Sequence, residues 1–298
     1  MTVKEYANII TDRYTESTYK KLKIAIENSN KTIKRKLKEF VAEFGDGTKM
    51  DKHEMMKYNR FNKLLEQYNE LLKELEKNKY KLIKDSNVKT YREIFNLNRF
   101  DVYQSLGLEL NFSKINQDTI LLAIENPIKD LKLEQLVKKN RTQNINIINN
   151  LLSQQILAGN SYKETAENLN KIFSTDLYKM ERIVRTENHR VKNIANRQSV
   201  DEIAKKYKRK VFYTWNSAED ERVRTDHNIA NGQTIKQGEL FQVGLSRGEA
   251  PGNLFGSDSA SQNINCRCFL TEKIEDKLVE SEYNAKKYND WKNNDLQN

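Results

Sequence analysis

Proline and glycine are nearly missing from the first two hundred residues. Of the 298 residues, two are proline (Pro127 and Pro251) and ten are glycine, and six of those glycines fall between 232 and 256. Proline removes a backbone donor and glycine raises the entropy of ordering, so long stretches without either favour helix. The apolar residues of those stretches recur at helical steps. Tyr19, Leu22, Ile26, Ile33, Leu37, Phe40 and Phe44 predict a helix over 15–44. Phe61, Leu64, Tyr68, Leu71 and Leu75 step by three and four and predict a second. The "GDG" at 45–47 breaks the pattern between them. The simplest arrangement is a long N-terminal antiparallel helical hairpin closed at 45–49.

Residues 86–112 read as mixed, with "SLGLEL" at 105–110 as a connection. Helical patterns return at 118–127, 131–140 and 142–157, where Ile145, Ile148, Leu152 and Ile156 share a stripe. Gly159 ends that helix. Ser161 lies three residues before Glu164, a capping-box pattern that starts the next one. A further helix is predicted from about 176 to 207. After Lys210 the period changes from helical to alternating. "KVFYTWN" places Val211, Tyr213 and Trp215 on one face and predicts a strand. Asn231-Gly232 is a turn signal between short β-like stretches. Residues 244–263 read as loop, and "CRCFLTEKI" as a strand over 266–272 that pairs with the one near 210–215. The expected fold is mainly α with a small α+β C-terminal domain. Its segments are a basic helical hairpin region (1–110), a helical connecting region (111–175), the α+β domain (176–275) and a charged tail (276–298).

The net charge is +10. Residues 1–100 hold 23 Lys and Arg against 15 Asp and Glu, and the other 198 hold 29 against 27. A basic helical face can bind the phosphate backbone of double-stranded DNA without sequence preference. The same lysines also suit a plain solvated face. No run of 18 apolar residues exists, so no transmembrane helix is expected, and the first residues lack the pattern of a secretory signal.

The two cysteines of the chain, Cys266 and Cys268, are one residue apart. On a strand they share a face, with Cα atoms about 6.6–6.8 Å apart and parallel Cβ vectors, which is poor disulfide geometry. Two thiolates so placed can instead bind one zinc ion with ligands from elsewhere. If "SAEDERVRTDH" (217–227) is helical, Asp220, Arg224 and His227 lie on one face. His227, Cys266, Cys268 and a carboxylate, Asp220 or Asp226, would then suit tetrahedral zinc. The competing reading packs two small cysteines in a core and gives His227 a plain hydrogen bond. Enzyme chemistry has less to stand on. Arg185, Glu187 and His189 are close in sequence, as are Asp226 and His227. But there is no phosphate-binding glycine loop, no H-E-x-x-H and no aspartate cluster for two metals.

The order of these motifs resembles a known family. "IVRTENHRVKNIANRQ" (183–198) precedes "TWNSAEDERVRTDHNIANGQTI" (214–235), "FQVGLSRGEAPGN" (241–253) and "NCRC" (265–268). Over about 150–275 this is similar to the C-terminal domain of the Mu F-like minor head proteins, the head-morphogenesis proteins of tailed phages. Arg185, Thr186, Glu187, Trp215, Asp220, Arg222, Arg224, His227, Gly232, Phe241, Pro251, Cys266, Arg267 and Cys268 carry the match. The resemblance implies a structural protein with no catalytic residues and no cofactor; it does not decide whether the C-R-C unit binds a structural zinc. It implies synthesis in the host cytoplasm and residence in the capsid interior, against the portal or scaffold and beside packaged or ejected DNA. Some family members carry a fused toxin domain; none is expected in residues 276–298. The alternative is a metal-dependent nuclease, or another DNA-processing enzyme, carried in the virion. It would need acidic residues converging on His189 or His227.

Overall fold

The computed structural model describes residues 1–45, 53–54, 57–125, 132–276 and 281–294. Long helices dominate: α1 (Val3–Phe44), α2 (Arg60–Leu106), the short α3 (Gln117–Ile124), α4 (Leu133–Leu157) and α5 (Tyr162–Tyr207). A small β-rich region follows, with β1 (Val211–Asn216), α6 (Thr225–Ile229), β2 (Thr234–Lys236), β3 (Phe241–Val243), β4 (Ser246–Ala250), β5 (Asn253–Gly256), α7 (Ser259–Asn263) and β6 (Phe269–Ile274). Helix α8 (Ala285–Asn294) comes last. The chain is therefore mainly α, with two small antiparallel sheets in its C-terminal part.

Several helices are longer than the sequence predicts. Helix α1 begins at Val3 because Thr2 and Glu5 form a capping box: the Thr2 amide donates to Glu5 Oε2 at 2.7 Å and the Glu5 amide to Thr2 Oγ1 at 3.1 Å. Helix α2 continues through the stretch that reads as mixed. There Asn87, Thr90, Tyr91, Ile94, Phe95, Asn96, Leu97, Phe100, Asp101 and Val102 are all buried. A helix buried on most of its circumference loses the stripe that periodicity detects. Contacts to this stretch include the Ser113 amide, which donates to Asn96 Oδ1 at 2.8 Å, and Ser199 Oγ, which donates to the Phe95 carbonyl at 2.7 Å. The 131–140 and 142–157 patterns are one helix, α4, and the patterns on either side of 175 are both α5. The capping box at Ser161 forms as its spacing requires, with Ser161 N on Glu164 Oε2 at 2.9 Å. The turn expected at 45–49 lies outside the described residues apart from Gly45, as does Pro127.

The chain packs as two compact units, and neither is a continuous stretch. One comprises 18–83 and 133–183; the other comprises 1–17, 84–132 and 184–298. This differs from the consecutive segments read from the sequence, because α1, α2 and α5 each contribute to both units. In the first unit α1 and α2 run antiparallel. Tyr68 Oη donates to the Ile33 carbonyl at 3.0 Å, Lys36 Nζ meets Gln67 Oε1 at 2.9 Å, and the Arg60 guanidinium lies 4.1 Å from the Phe44 ring centre. One number rises as the other falls, as in a hairpin. Leu22, Ile26, Ile33 and Leu37 are fully buried along α1. This unit carries 24 Lys and Arg against 15 Asp and Glu, and the other 28 against 27. Nearly all the net charge thus belongs to the helical unit.

The second unit holds both sheets. β1 lies between β2 and β6, antiparallel to each, with Tyr213 opposite Ile235 and Glu272, and Trp215 opposite Leu270. The alternation read for β1 is real: Val211, Tyr213 and Trp215 are buried and Phe212 is exposed. The second sheet, β3-β4-β5, occupies much of the stretch that reads as loop. A Cβ at Gly248 would lie 2.2 Å from the Asn253 carbonyl oxygen, so the strand pairing requires glycine there. Residues 285–294 of the charged tail form a packed helix. Tyr288 and Trp291 of α8 are buried with Phe100, and Trp291 Nε1 donates to the Leu110 carbonyl at 2.7 Å.

A candidate metal centre in the C-terminal unit

Trp215 is the centre of the core between the two sheets. Its ring meets those of His227 and Phe241 edge-on, each with centroids 5.6 Å apart. Cys266 and Cys268 belong to the same core at 4% and 2% exposure. They do not lie on a strand: β6 starts at Phe269, and the backbone takes a left-handed turn at Asn265 (φ 55°). Strand alternation therefore does not set their direction, yet both thiols turn inward. The Cys266 amide donates to the Asn263 carbonyl at 3.2 Å, and the Asn265 amide to Thr186 Oγ1 at 3.1 Å.

His227 reaches the thiols from α6. Its Nδ1 is 3.1 Å from Cys268 Sγ and 3.7 Å from Cys266 Sγ. The ligand atoms of all three lie within 4.8 Å of one another, and all three residues are buried. The far side of the ring is also fixed. Nε2 is 3.0 Å from Gln262 Oε1, while Gln262 Nε2 donates to Asp226 Oδ2 at 2.6 Å and Asp258 Oδ2 at 2.8 Å. Two carboxylates can only accept, so the Gln262 amide nitrogen faces them and its oxygen faces His227. Nε2 must then carry a hydrogen, and Nδ1 is left to meet the sulfurs. Asp258 is held below the usual carboxylate range by Gln262, then Ser246. Of the thiols, Cys268 is held down chiefly by the hydrogen bond from Cys266; that same hydrogen bond, with burial, pushes Cys266 up.

Asp220 is not part of this group. Residues 217–224 are loop and turn, and α6 spans only 225–229, so Asp220, Arg224 and His227 share no helical face. Asp220 instead pairs with Arg267, Oδ1 to Nη2 at 2.5 Å, which pulls its carboxyl down to about 2. The C-R-C unit thus sends two thiols inward and the guanidinium outward to a carboxylate. Asp226, the other carboxylate considered, faces Gln262.

The remaining motif residues hold the unit together. Glu187 and Arg190 form a buried pair at 2.8 Å, and the Arg190 fork also donates to the Ala123 and Ile124 carbonyls at the end of α3, at 3.0 and 2.7 Å. Gly252 (φ 81°) passes close over this residue: a Cβ there would be 3.2 Å from Arg190 Cα. The Pro251 carbonyl accepts from Asn193 Nδ2 at 3.0 Å. Arg224 donates to the Ile264 carbonyl. Gly232 takes φ 79°, and its amide donates to the Trp215 carbonyl at 2.8 Å. Arg222 is exposed, 3.9 Å from Asp220, and Arg185 lies on the exposed face of α5. His189 Nε2 is 2.6 Å from the Cys268 carbonyl, and burial followed by Lys192 pushes its pKa down to about 3. It is a neutral donor tying α5 to the cysteine segment. Arg190, Asn193, Gln262 and Asp258 escaped sequence reading, and no spacing distinguishes the last three. The buried Arg190 had one signal, its place three residues after Glu187.

The motif residues are thus used within the unit that holds both sheets, paired with each other, with Arg190 or with backbone carbonyls. Residues 146–271 are similar to the family described as Phage Mu protein F like protein. The chain is also similar to the minor head protein GP7 of Bacillus phage SPP1, at 26% identity over 272 residues, covering 91% of this chain and 85% of that protein. No solved structure matches the chain significantly.

Proposed function

We propose that this chain is a structural minor head protein of a tailed phage, built into the head during assembly in the host cytoplasm and retained in the capsid interior. It associates there with the portal or scaffold and lies beside packaged DNA. The observation that carries this reading is the use made of the motif residues. Glu187, Trp215, Cys266 and Cys268 are buried, Glu187 in a pair with Arg190; Arg224 is tied to the Ile264 carbonyl, and Asp220 pairs with Arg267 at the surface. Residues so engaged shape a fold; they do not face a substrate. The nuclease alternative gains nothing from the geometry. His189 is on a backbone carbonyl, and His227 is on two thiols and an amide. Among the described residues, no helix is long and apolar enough to cross a membrane.

The direct test is co-expression with the portal and scaffold proteins of the same phage genome, followed by gradient purification of the particles. The chain is expected in the particles and in complex with portal or scaffold. Its absence from both would overturn the reading.

The charge of the helical unit supports the DNA contact. Full-length protein is expected to bind duplex DNA of unrelated sequences with equal affinity. If about four phosphates are neutralised, affinity falls roughly 100-fold between about 50 and about 200 mM salt. A titration showing no binding at low salt would leave those lysines as a solvated face.

A further inference from the structure

We propose that His227 Nδ1 and the thiolates of Cys266 and Cys268 bind one zinc ion, which locks the cysteine segment and α6 onto the Trp215 core. Tetrahedral zinc with ordinary bond lengths places a ligating nitrogen and sulfur about 3.6 Å apart, and two sulfurs about 3.8 Å apart. The observed Nδ1–Sγ separations of 3.1 and 3.7 Å need shifts of about half an ångström or less to match, and the two sulfurs lie within 4.8 Å of each other.

The second observation is independent of the sulfurs. A ligating histidine donates its other ring hydrogen to an oriented acceptor, which sets the tautomer and aims the lone pair. Here Gln262 is that acceptor, and its own orientation is imposed by Asp226 and Asp258. A histidine packed only for its bulk needs no such relay. The soft sulfur-rich set selects zinc over magnesium or calcium. It supplies three of the four positions zinc takes. Any proton still on either sulfur leaves to solvent as both bind as thiolates, so the bound group is Zn²⁺ with two S⁻ and one neutral imidazole.

The test uses the full-length protein, purified without chelator, stripped and reloaded. Wild type is expected to hold one equivalent of zinc per chain by elemental analysis. Cobalt(II) in its place should give the thiolate charge-transfer absorption and intense visible bands of a tetrahedral site. Gln262→Leu leaves every ligand in place and should weaken zinc affinity roughly 10- to 100-fold, measured by competition with a chromophoric chelator. Cys268→Ser should abolish the charge-transfer band or reduce it to that of one thiolate. These readouts do not depend on a cysteine variant folding, because the cobalt spectrum and the Gln262→Leu shift are sufficient alone. Less than about a tenth of an equivalent of zinc after reloading, with no cobalt charge-transfer band and an unchanged melting temperature in chelator, would overturn the proposal. So would unchanged affinity in Gln262→Leu together with a retained band in Cys268→Ser, which would place the metal elsewhere.

Discussion

Arg190→Ala is expected to destabilise the C-terminal unit by about 3–5 kcal/mol. Three losses combine. Glu187, buried at 3% exposure, keeps a charge without its partner. The Ala123 and Ile124 carbonyls lose the donors that end α3. The volume left beneath Gly252 cannot be refilled by a backbone turn already in contact with Arg190. Arg190→Lys should recover little, because a point charge cannot serve a carboxylate and two carbonyls as a planar fork does. Glu187→Gln placed on top of Arg190→Ala should recover part of the loss, since it removes the stranded charge. Denaturant unfolding followed by tryptophan fluorescence reads this unit directly, because both tryptophans, Trp215 and Trp291, lie in it. A loss below about 1 kcal/mol for Arg190→Ala would show that water replaces the fork, and that the R-T-E region is not a structural anchor.

The second large effect belongs to the helical unit. Lys79 and Asp176 form an ion pair at 4% and 0% side-chain exposure, and Asn140 Oδ1 accepts from the same ammonium at 3.3 Å. Burial lowers the lysine's pKa more than Asp176 raises it. The pair is therefore a poor source of stability but a costly thing to break. Lys79→Ala should cost about 3–5 kcal/mol by stranding the carboxylate. Lys79→Met with Asp176→Leu should return to wild-type stability or exceed it by about 1–4 kcal/mol. Urea unfolding followed by far-ultraviolet circular dichroism separates the two cases. A double variant as unstable as the single would mean that the pair contributes net stability and that its geometry outweighs desolvation.

Much of this molecule is legible in its sequence, and the reason is local. Absence of proline and glycine, with apolar residues at steps of three and four, is enough to write long helices. Alternation around Trp215 is enough to write β1 and its inner face. The motif order from Arg185 to Cys268 is enough to point to the Mu F-like family, because it is carried by residue identities and needs no contact map. The capping boxes at Thr2 and Ser161 depend only on a spacing of three.

What the tertiary structure decided concerns who meets whom. Half of α2 lost its stripe because neighbours cover it on most sides, and no local pattern records neighbours. The strands at 246–256 are too short and glycine-rich to alternate visibly; they exist through pairing with β3 and with each other. The sequence shows a basic first hundred residues, but the charge belongs to a unit made of two separated stretches, because long helices change partners along their length. The same distinction governs the cysteine site. Scarcity of cysteine and histidine singled out His227, Cys266 and Cys268. Only packing could show that Asp220 spends its carboxylate on Arg267, and that the histidine is aimed by Gln262 between two aspartates. Residue identity limits which atoms can coordinate or pair. Distance and burial, which the fold alone sets, decide which of them do.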